Sequence, residues 1–318
     1  MKILYISRAT HDYLQDFIYT GLVKRIGISN ILEFPWNIRF HINHRPYPKN
    51  IGLIKGNLFQ SLYHSYIKKF EYTHIIVASC HPEALLNYQT ILKEIPAHVK
   101  TIFLDGGDLA EVAGDLNRIK EDGIKIYNNI EMIRPFDFIF KREYLLDKIY
   151  PSNVYSLPFC FNLHLLPKKL PQTYKYDVAF WAVESHPIRT QALELLQDKY
   201  DCKENGTTKN QIMKKYKRKG TYYLQELSAC KIGLNLRGAG WDTLRFWELS
   251  ALGSFMISQK LNIKIENGFT NNKNIIYCED DISDLVELCD YYLKHENKRI
   301  KIAQNAKKHI YEHHTDLH

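Results

Sequence analysis

A chain of 318 residues with 45% apolar and 25% charged side chains carries enough apolar material for a sizeable core, which excludes a disordered polypeptide and favours two domains of about 150 residues each. Lys and Arg outnumber Asp and Glu by 43 to 35, and the net +8 favours anionic partners (a nucleotide phosphate, nucleic acid or an acidic membrane surface) without choosing among them. The six cysteines form no CxxC pair and lie mostly in apolar runs, which argues for reduced core residues rather than a disulfide frame or a zinc site, and no apolar stretch is long enough for a membrane span, so a cytoplasmic protein is expected.

The opening MKILYISRA reads as a first buried strand over residues 2–6. A loop, Ser7 to His11, and a helix from Asp12 to Gly21 follow, the helix closed by its glycine. Strands are predicted at His74–Ser79 and Thr101–Leu104, with helical text from Glu83 to Glu94 between them. The second of these strands runs into Asp105-Gly106-Gly107-Asp108, and a further strand, Phe136–Phe140, ends in Lys141-Arg142-Glu143. Charged residues at strand ends beside glycines matter because open α/β sheets bind ligands at the carboxyl ends of their strands.

A proline-rich passage marks an interdomain linker, residues 156–175. The alternation then restarts with a strand at Asp177–Trp181, a helix beginning near Ile188 and containing Arg189, a helix over Tyr222–Ala229 and a strand over Lys231–Leu236. A last strand at Asn274–Cys278 precedes helices over Ile282–Lys294 and Asn297–His313. Strands alternating with helices in both halves predict an α/β protein of two Rossmann-like, doubly wound domains, residues 1–155 and 176–300, facing across a cleft, with 301–318 as a terminal helix packing back on the first.

The densest stretch is NLRGAGWDTLRFWE, Asn235 to Glu248, running on to Gly253 and the strand ending at Ile257. It joins a strand end to a glycine-bearing loop and a helix capped by Asp242 or Thr243 and ended by Gly253. Free N–H groups at the helix start, with Arg237 and Arg245 beside them, make an anion site. The plainer reading of Arg245 and Glu248, three residues apart, is a surface ion pair. Gly238 and Gly240 favour the ligand site, since glycine lets backbone approach a ligand closely.

A strand reading KIGLNLRG that leads into D-T-x-R-F-W-E and then ALGSFMI is similar to the donor-binding half of GT-B glycosyltransferases, in the spore-protein-like branch related to the group-1 enzymes. The terminal AQNAKKHIYEHHT resembles the same branch, and upstream DYLQDFIYTGL, DGGD and FKREY look like its acceptor half. The resemblance implies a nucleotide-sugar donor as co-substrate, no further cofactor and no bound metal. It assigns Glu248 to the donor ribose. The family's second glutamate, eight residues earlier, is replaced here by Gly240, which leaves Arg237 and Asp242 nearest that role and the stereochemistry open.

Sugar transfer needs a stabilised diphosphate, for which Arg237, Arg245, the helix start with Thr243, and Arg189 are the candidates. Lys141 and Arg142 are further phosphate candidates, and His186 is a weaker neighbour of Arg189. The acceptor hydroxyl must lose a proton, and Asp108, Asp105 and His11 are the candidate bases. The DGGD aspartates read equally as turn residues, and Asp12 reads as a helix cap. Among the terminal histidines, His309 and His313 have a metal-compatible spacing but no acidic partner cluster. The run Lys214, Lys215, Lys217, Arg218, Lys219 reads as a solvated face or, more sharply, as a footprint for DNA or membrane. Within this fold the expected activity is glycosyl transfer to a glycan, a small molecule or a modified DNA base. Nucleotide-sugar epimerisation and noncatalytic nucleotide-sugar binding are the alternatives.

Overall fold

A computed structural model describes residues 1–42, 47–52, 71–196, 198–200 and 221–318. The basic run from Lys214 to Lys219 and Cys202 lie outside the described residues. The chain divides into two compact units, Met1–Pro158 with Leu317, and Phe159–Asp316 with His318.

Among the described residues the first unit has six parallel strands: β1 (Ile3–Ile6), β2 (Ile31–Phe34), β3 (His74–Val77), β4 (Lys100–Asp105), β5 (Phe138–Lys141) and β6 (Val154–Ser156). Their order is β2-β1-β3-β4-β5-β6, so the sheet changes direction between β1 and β3. In open α/β sheets such a switch point, here at the carboxyl ends of β1 and β3, is where ligands bind. Both faces of the inner strands are apolar, as a covered parallel sheet requires: Ile3, Leu4, Tyr5 and Ile6 are all buried. Helices α1 (Tyr13–Ile26), α2 (Pro82–Ile91) and α3 (Gly123–Ile133) supply crossovers.

Asp12 caps α1, accepting from Gln15 N at 3.2 Å, but the helix passes through Gly21 and ends only at Gly27, which has φ 79°. Gly21 is buried, so packing overrides its weak helix propensity, and the positive φ needed to leave the helix falls one turn and a half later. The sequence reading also passed over β2 and the three-residue edge strand β6.

The second unit has four parallel strands, β7 (Tyr176–Ala179), β8 (Cys230–Asn235), β9 (Phe255–Gln259) and β10 (Ile276–Cys278), in the order β10-β9-β8-β7 among the described residues. Its helices are α4 (Pro187–Leu196), α5 (Thr221–Ser228), α6 (Leu244–Leu252), α7 (Leu285–Lys294) and α8 (Glu296–His313). Gly253, with φ 75°, turns the chain out of α6 while Gly253 N and Ser254 N satisfy the last carbonyls at 3.1 and 3.0 Å. A side chain at Gly233 of β8 would meet Leu249 of α6 at 2.3 Å, so glycine there is what seats α6 on the sheet. Helix α8 packs on α6, β9 and α7 of its own unit. No described helix is long and apolar enough to cross a membrane.

Candidate functional site

Strand β8 lies between β7 and β9, and its carboxyl end delivers Asn235, Leu236 and Arg237 to the sheet edge. Five hydrogen bonds fix the loop that follows. Asn235 Nδ2 donates to Ser258 Oγ at 2.9 Å and its Oδ1 accepts from Thr243 Oγ1 at 2.5 Å. Arg237 N donates to Gln259 Oε1 at 3.0 Å, and Gln259 Nε2 in turn donates to Asp280 O at 2.8 Å. Gly238 N donates to Gly240 O at 2.9 Å, closing a tight turn.

Arg189, on the first turn of α4, is 6% exposed and spends its donors on backbone. Nε donates to Arg237 O at 2.8 Å, Nη2 to Leu236 O at 3.1 Å, and Nη1 to Val183 O at 2.7 Å and Ser185 Oγ at 3.0 Å. A side chain at Gly238 would lie 2.9 Å from Arg189 Nη2, so the clamp and the loop fit only with glycine there. Arg245 is also turned inward, its Nη2 donating to Trp181 O and its guanidinium 5.4 Å from the Phe180 ring. Asp242 is buried, accepting from Phe159 N at 2.6 Å and from Trp247 Nε1 at 2.8 Å.

Arg237 differs from both in being half-buried where they are buried. It lies over the Trp241 ring at 4.2 Å, and its buried Nε has no hydrogen-bond partner among the described residues. The start of α6 carries no side-chain cap, because the Thr243 hydroxyl is turned to Asn235. A guanidinium stacked on an indole beside an uncapped helix start is a site of positive potential. Burial, followed by the charges of Arg237 and Arg189, lowers the pKa of His186. Glu248 sits on α6 half-buried.

In the first unit, the carboxyl ends of β1, β3 and β4 converge. Asp12 Oδ2 accepts from Ser79 Oγ at 2.6 Å, and a side chain at Gly106 would lie 3.3 Å from Leu14 and 4.0 Å from Asp12 Oδ1. Asp105 is fully buried, bonded by Lys141 Nζ at 3.0 Å, Ala113 N at 2.9 Å and Gly107 N at 3.2 Å. Lys141, equally buried, also donates to Leu109 O and Glu111 O. Asp108 is part-exposed and paired with Arg142 Nη2, with Arg118 Nη1 at 3.9 Å. Arg142 also donates to Gly107 O at 3.1 Å. The DGGD aspartates and the KR pair, predicted separately, thus form one ion-paired loop anchor.

His11 is exposed on the loop after β1, its ring 5.7 Å from Tyr13. Burial of part of the ring, then the charges of Arg39 and Arg8, lowers its pKa. His81, which caps α2 by accepting from Glu83 N at 3.2 Å, is lowered by burial and by Arg8. Sequence reasoning missed Ser79, His81 and Gln259. Each is a polar residue just at or beyond the end of a strand whose last residue was misplaced or whose loop was not considered.

The terminal histidines form an aromatic cluster. His309 and His314 both bond Asn267 O, at 2.7 and 2.9 Å, and His314 lies 5.1 Å from Trp247. No group of three or more metal-ligating side chains occurs among the described residues.

Residues 189–318 match the family model described as glycosyl transferase-like. No curated protein sequence matches the chain. Among solved structures, HepE of Anabaena in complex with UDP-glucose is similar over 100% of this chain and 96% of its own, with TM-score 0.61 and 11% identity. An alpha-glucosyltransferase in complex with UDP and a 13-mer DNA is similar over 98% and 95%, with TM-score 0.63 and 11% identity. Sucrose-phosphate synthase of Thermosynechococcus elongatus is similar over 99% and 95%, with TM-score 0.61 and 12% identity. The chain therefore has the fold of the GT-B glycosyltransferases, and its residues 189–318 carry the glycosyl transferase-like family pattern.

Proposed function

We propose that the protein is a glycosyltransferase that takes its sugar from a nucleotide-sugar bound at the loop after β8. The observation that carries this reading is Arg237: a half-buried guanidinium with a partnerless Nε, held beside an uncapped helix start by a backbone that Arg189 and Gln259 fix from behind. Such a group stabilises the diphosphate that departs with negative charge in the transition state. Arg189, read from sequence as a diphosphate contact, acts in this account as a support, because its guanidinium holds the carbonyls of Val183, Leu236 and Arg237, while Arg245, turned inward with Nη2 on Trp181 O, stays a diphosphate candidate beside Arg237. Asp242 and Thr243 likewise set the loop, and Glu248 on α6 takes the ribose hydroxyls.

The same division applies to the acceptor side. Asp105 is sealed by Lys141 and two backbone N–H groups, and Asp108 is paired with Arg142, so neither carboxylate is the general base in our account. Lys141 and Arg142 anchor that loop and do not meet phosphate. His11 takes the proton: burial of part of its ring, and after it the charges of Arg39 and Arg8, lower its pKa and favour the neutral imidazole that can accept. A DNA hydroxyl as acceptor is a second reading, favoured by the net charge of +8 and by the DNA-bound complexes of one structural neighbour.

A panel of nucleotide-sugars, read by thermal shift and by release of the nucleoside diphosphate, tests the reading. One donor that both stabilises the fold and is slowly hydrolysed is the expected result; no response to any donor overturns it. DNA binding that is strong and falls steeply with salt promotes the DNA acceptor, and its absence removes it.

A further inference from the structure

A cavity of about 490 Å³ lies in the second unit, lined by Lys273, Lys298, Lys301, Tyr291, Asn272 and Asn305 among others. Its place in the fold separates it from the loop after β8. Asn272 and Lys273 lie before β10, Tyr291 in the last turn and a half of α7, and Lys298 and Lys301 in the first two turns of α8. All of these sit at the amino ends of the strands, whereas Arg237, Gln259 and Asp280 sit at the carboxyl ends.

The lining is cationic, and among the described residues that form it none is acidic. Three ammonium groups around one cavity repel one another unless an anion joins them. Helix α8 sharpens the point, since it begins without a side-chain cap and places Lys298 in its first turn. A cation there is opposed by the helix dipole and an anion is favoured. The neighbouring acid does not relieve this, because Glu296 is turned to Arg299. Lys298 Nζ donates to the Tyr291 hydroxyl at 2.6 Å, a bond that raises the lysine's pKa and keeps it charged. Tyr291 is itself braced by the His295 ring stacked on it at 3.9 Å. Asn305 Nδ2 donates to Lys273 O at 2.8 Å, fixing the loop that brings the third lysine.

We propose that this cavity is a second ligand site, separate from the donor loop, that binds a phosphate monoester or diphosphate group through Lys273, Lys298 and Lys301. The phosphate can belong to a small soluble molecule or to a lipid headgroup, and the chemistry of recognition is the same for both.

Calorimetric titration with inorganic pyrophosphate, and cosedimentation with vesicles containing phosphatidic acid, are carried out on the wild-type chain, on a Lys298→Gln/Lys301→Gln double variant and on Arg237→Gln. The double variant is expected to lose a binding component for at least one of the two probes, weakened tenfold or more, and Arg237→Gln to keep that same component. Loss confined to pyrophosphate identifies a soluble ligand, and loss confined to vesicles identifies a headgroup. Both lysines are exposed, so unchanged circular dichroism verifies that the variant is folded. Binding of both probes left within twofold by the double variant, or removed by Arg237→Gln alone, overturns the proposal.

Discussion

The guanidinium of Arg189 donates to the carbonyl of Arg237 at 2.8 Å, so one arginine holds the backbone from which the other is presented. The two therefore respond differently to substitution. Arg189→Met leaves the carbonyls of Val183, Leu236 and Arg237 without their shared donor inside a buried pocket. A loss of about 2–4 kcal/mol in unfolding free energy is expected, since each buried group left unsatisfied costs about 1–3 kcal/mol. Urea denaturation of the variant measures it.

Gly238→Ala tests the same clamp without removing a charge. The new methyl group meets Arg189 Nη2 at 2.9 Å and forces either the guanidinium or the turn to move. Nucleotide affinity is expected to fall about tenfold, with a change in stability below about 1.5 kcal/mol, as for a small overpacking. Titration with the nucleoside diphosphate of the donor found in the panel, beside a melting curve, separates the two effects.

Lys141 and Asp105 are directly opposite each other in the β4–β5 register, and both are sealed from solvent. Lys141→Met strands the Asp105 carboxylate and is expected to cost about 3–5 kcal/mol, while Lys141→Met with Asp105→Asn recovers part of that loss. Equal destabilisation by the single and double variants contradicts the pairing.

Burial pushes the pKa of His314 down from 6.5 to about 4, so the folded protein holds the ring neutral beside Trp247. Unfolding takes up a proton between these values. Stability from this residue is complete above pH 6.5 and is lost as pH falls toward 4, by about 3 kcal/mol in all. Asp16 opposes it: burial raises its carboxyl to about 6 although Arg39 bonds it, so its contribution falls as pH rises from 3.8 to 6. The His314 effect is therefore read as the difference between the wild type and His314→Gln in denaturation at pH 4.5 and 7. The gap between the two proteins narrows at the lower pH.

His11→Asn is expected to lower turnover about 100-fold or more while leaving nucleotide affinity within twofold, the signature of a lost general base. Asp108→Asn, by contrast, is expected to keep turnover within about tenfold. Steady-state kinetics with the donor found in the panel distinguishes them.

Much of this was legible in the chain itself. The period of the apolar residues gave the strands β1, β3, β4, β5 and β7 to β10 to within a few residues, and Gly253 marked the end of α6. The charged strand ends at Asp105 and Arg237 were visible as unusual. Their orientation was not, because it depends on residues distant in the chain: Asp105 turns inward because Lys141 stands opposite it on β5, and Arg189 turns inward because the carbonyls of residues 236 and 237 lie within its reach. Gly21 misled for a related reason, since its burial in the folded unit outweighed its propensity to end a helix. Strands as short as β6 leave too few residues for any period to be read.

Whether Arg237 meets the donor's diphosphate is tested most directly by calorimetric titration of the nucleoside diphosphate of the donor found in the panel into the wild type and Arg237→Gln. Removing a charge-assisted contact worth about 1.5–3 kcal/mol predicts binding weaker by about 10- to 100-fold in the variant, with an unchanged melting temperature. Equal affinity for that nucleotide in the two proteins contradicts the assignment.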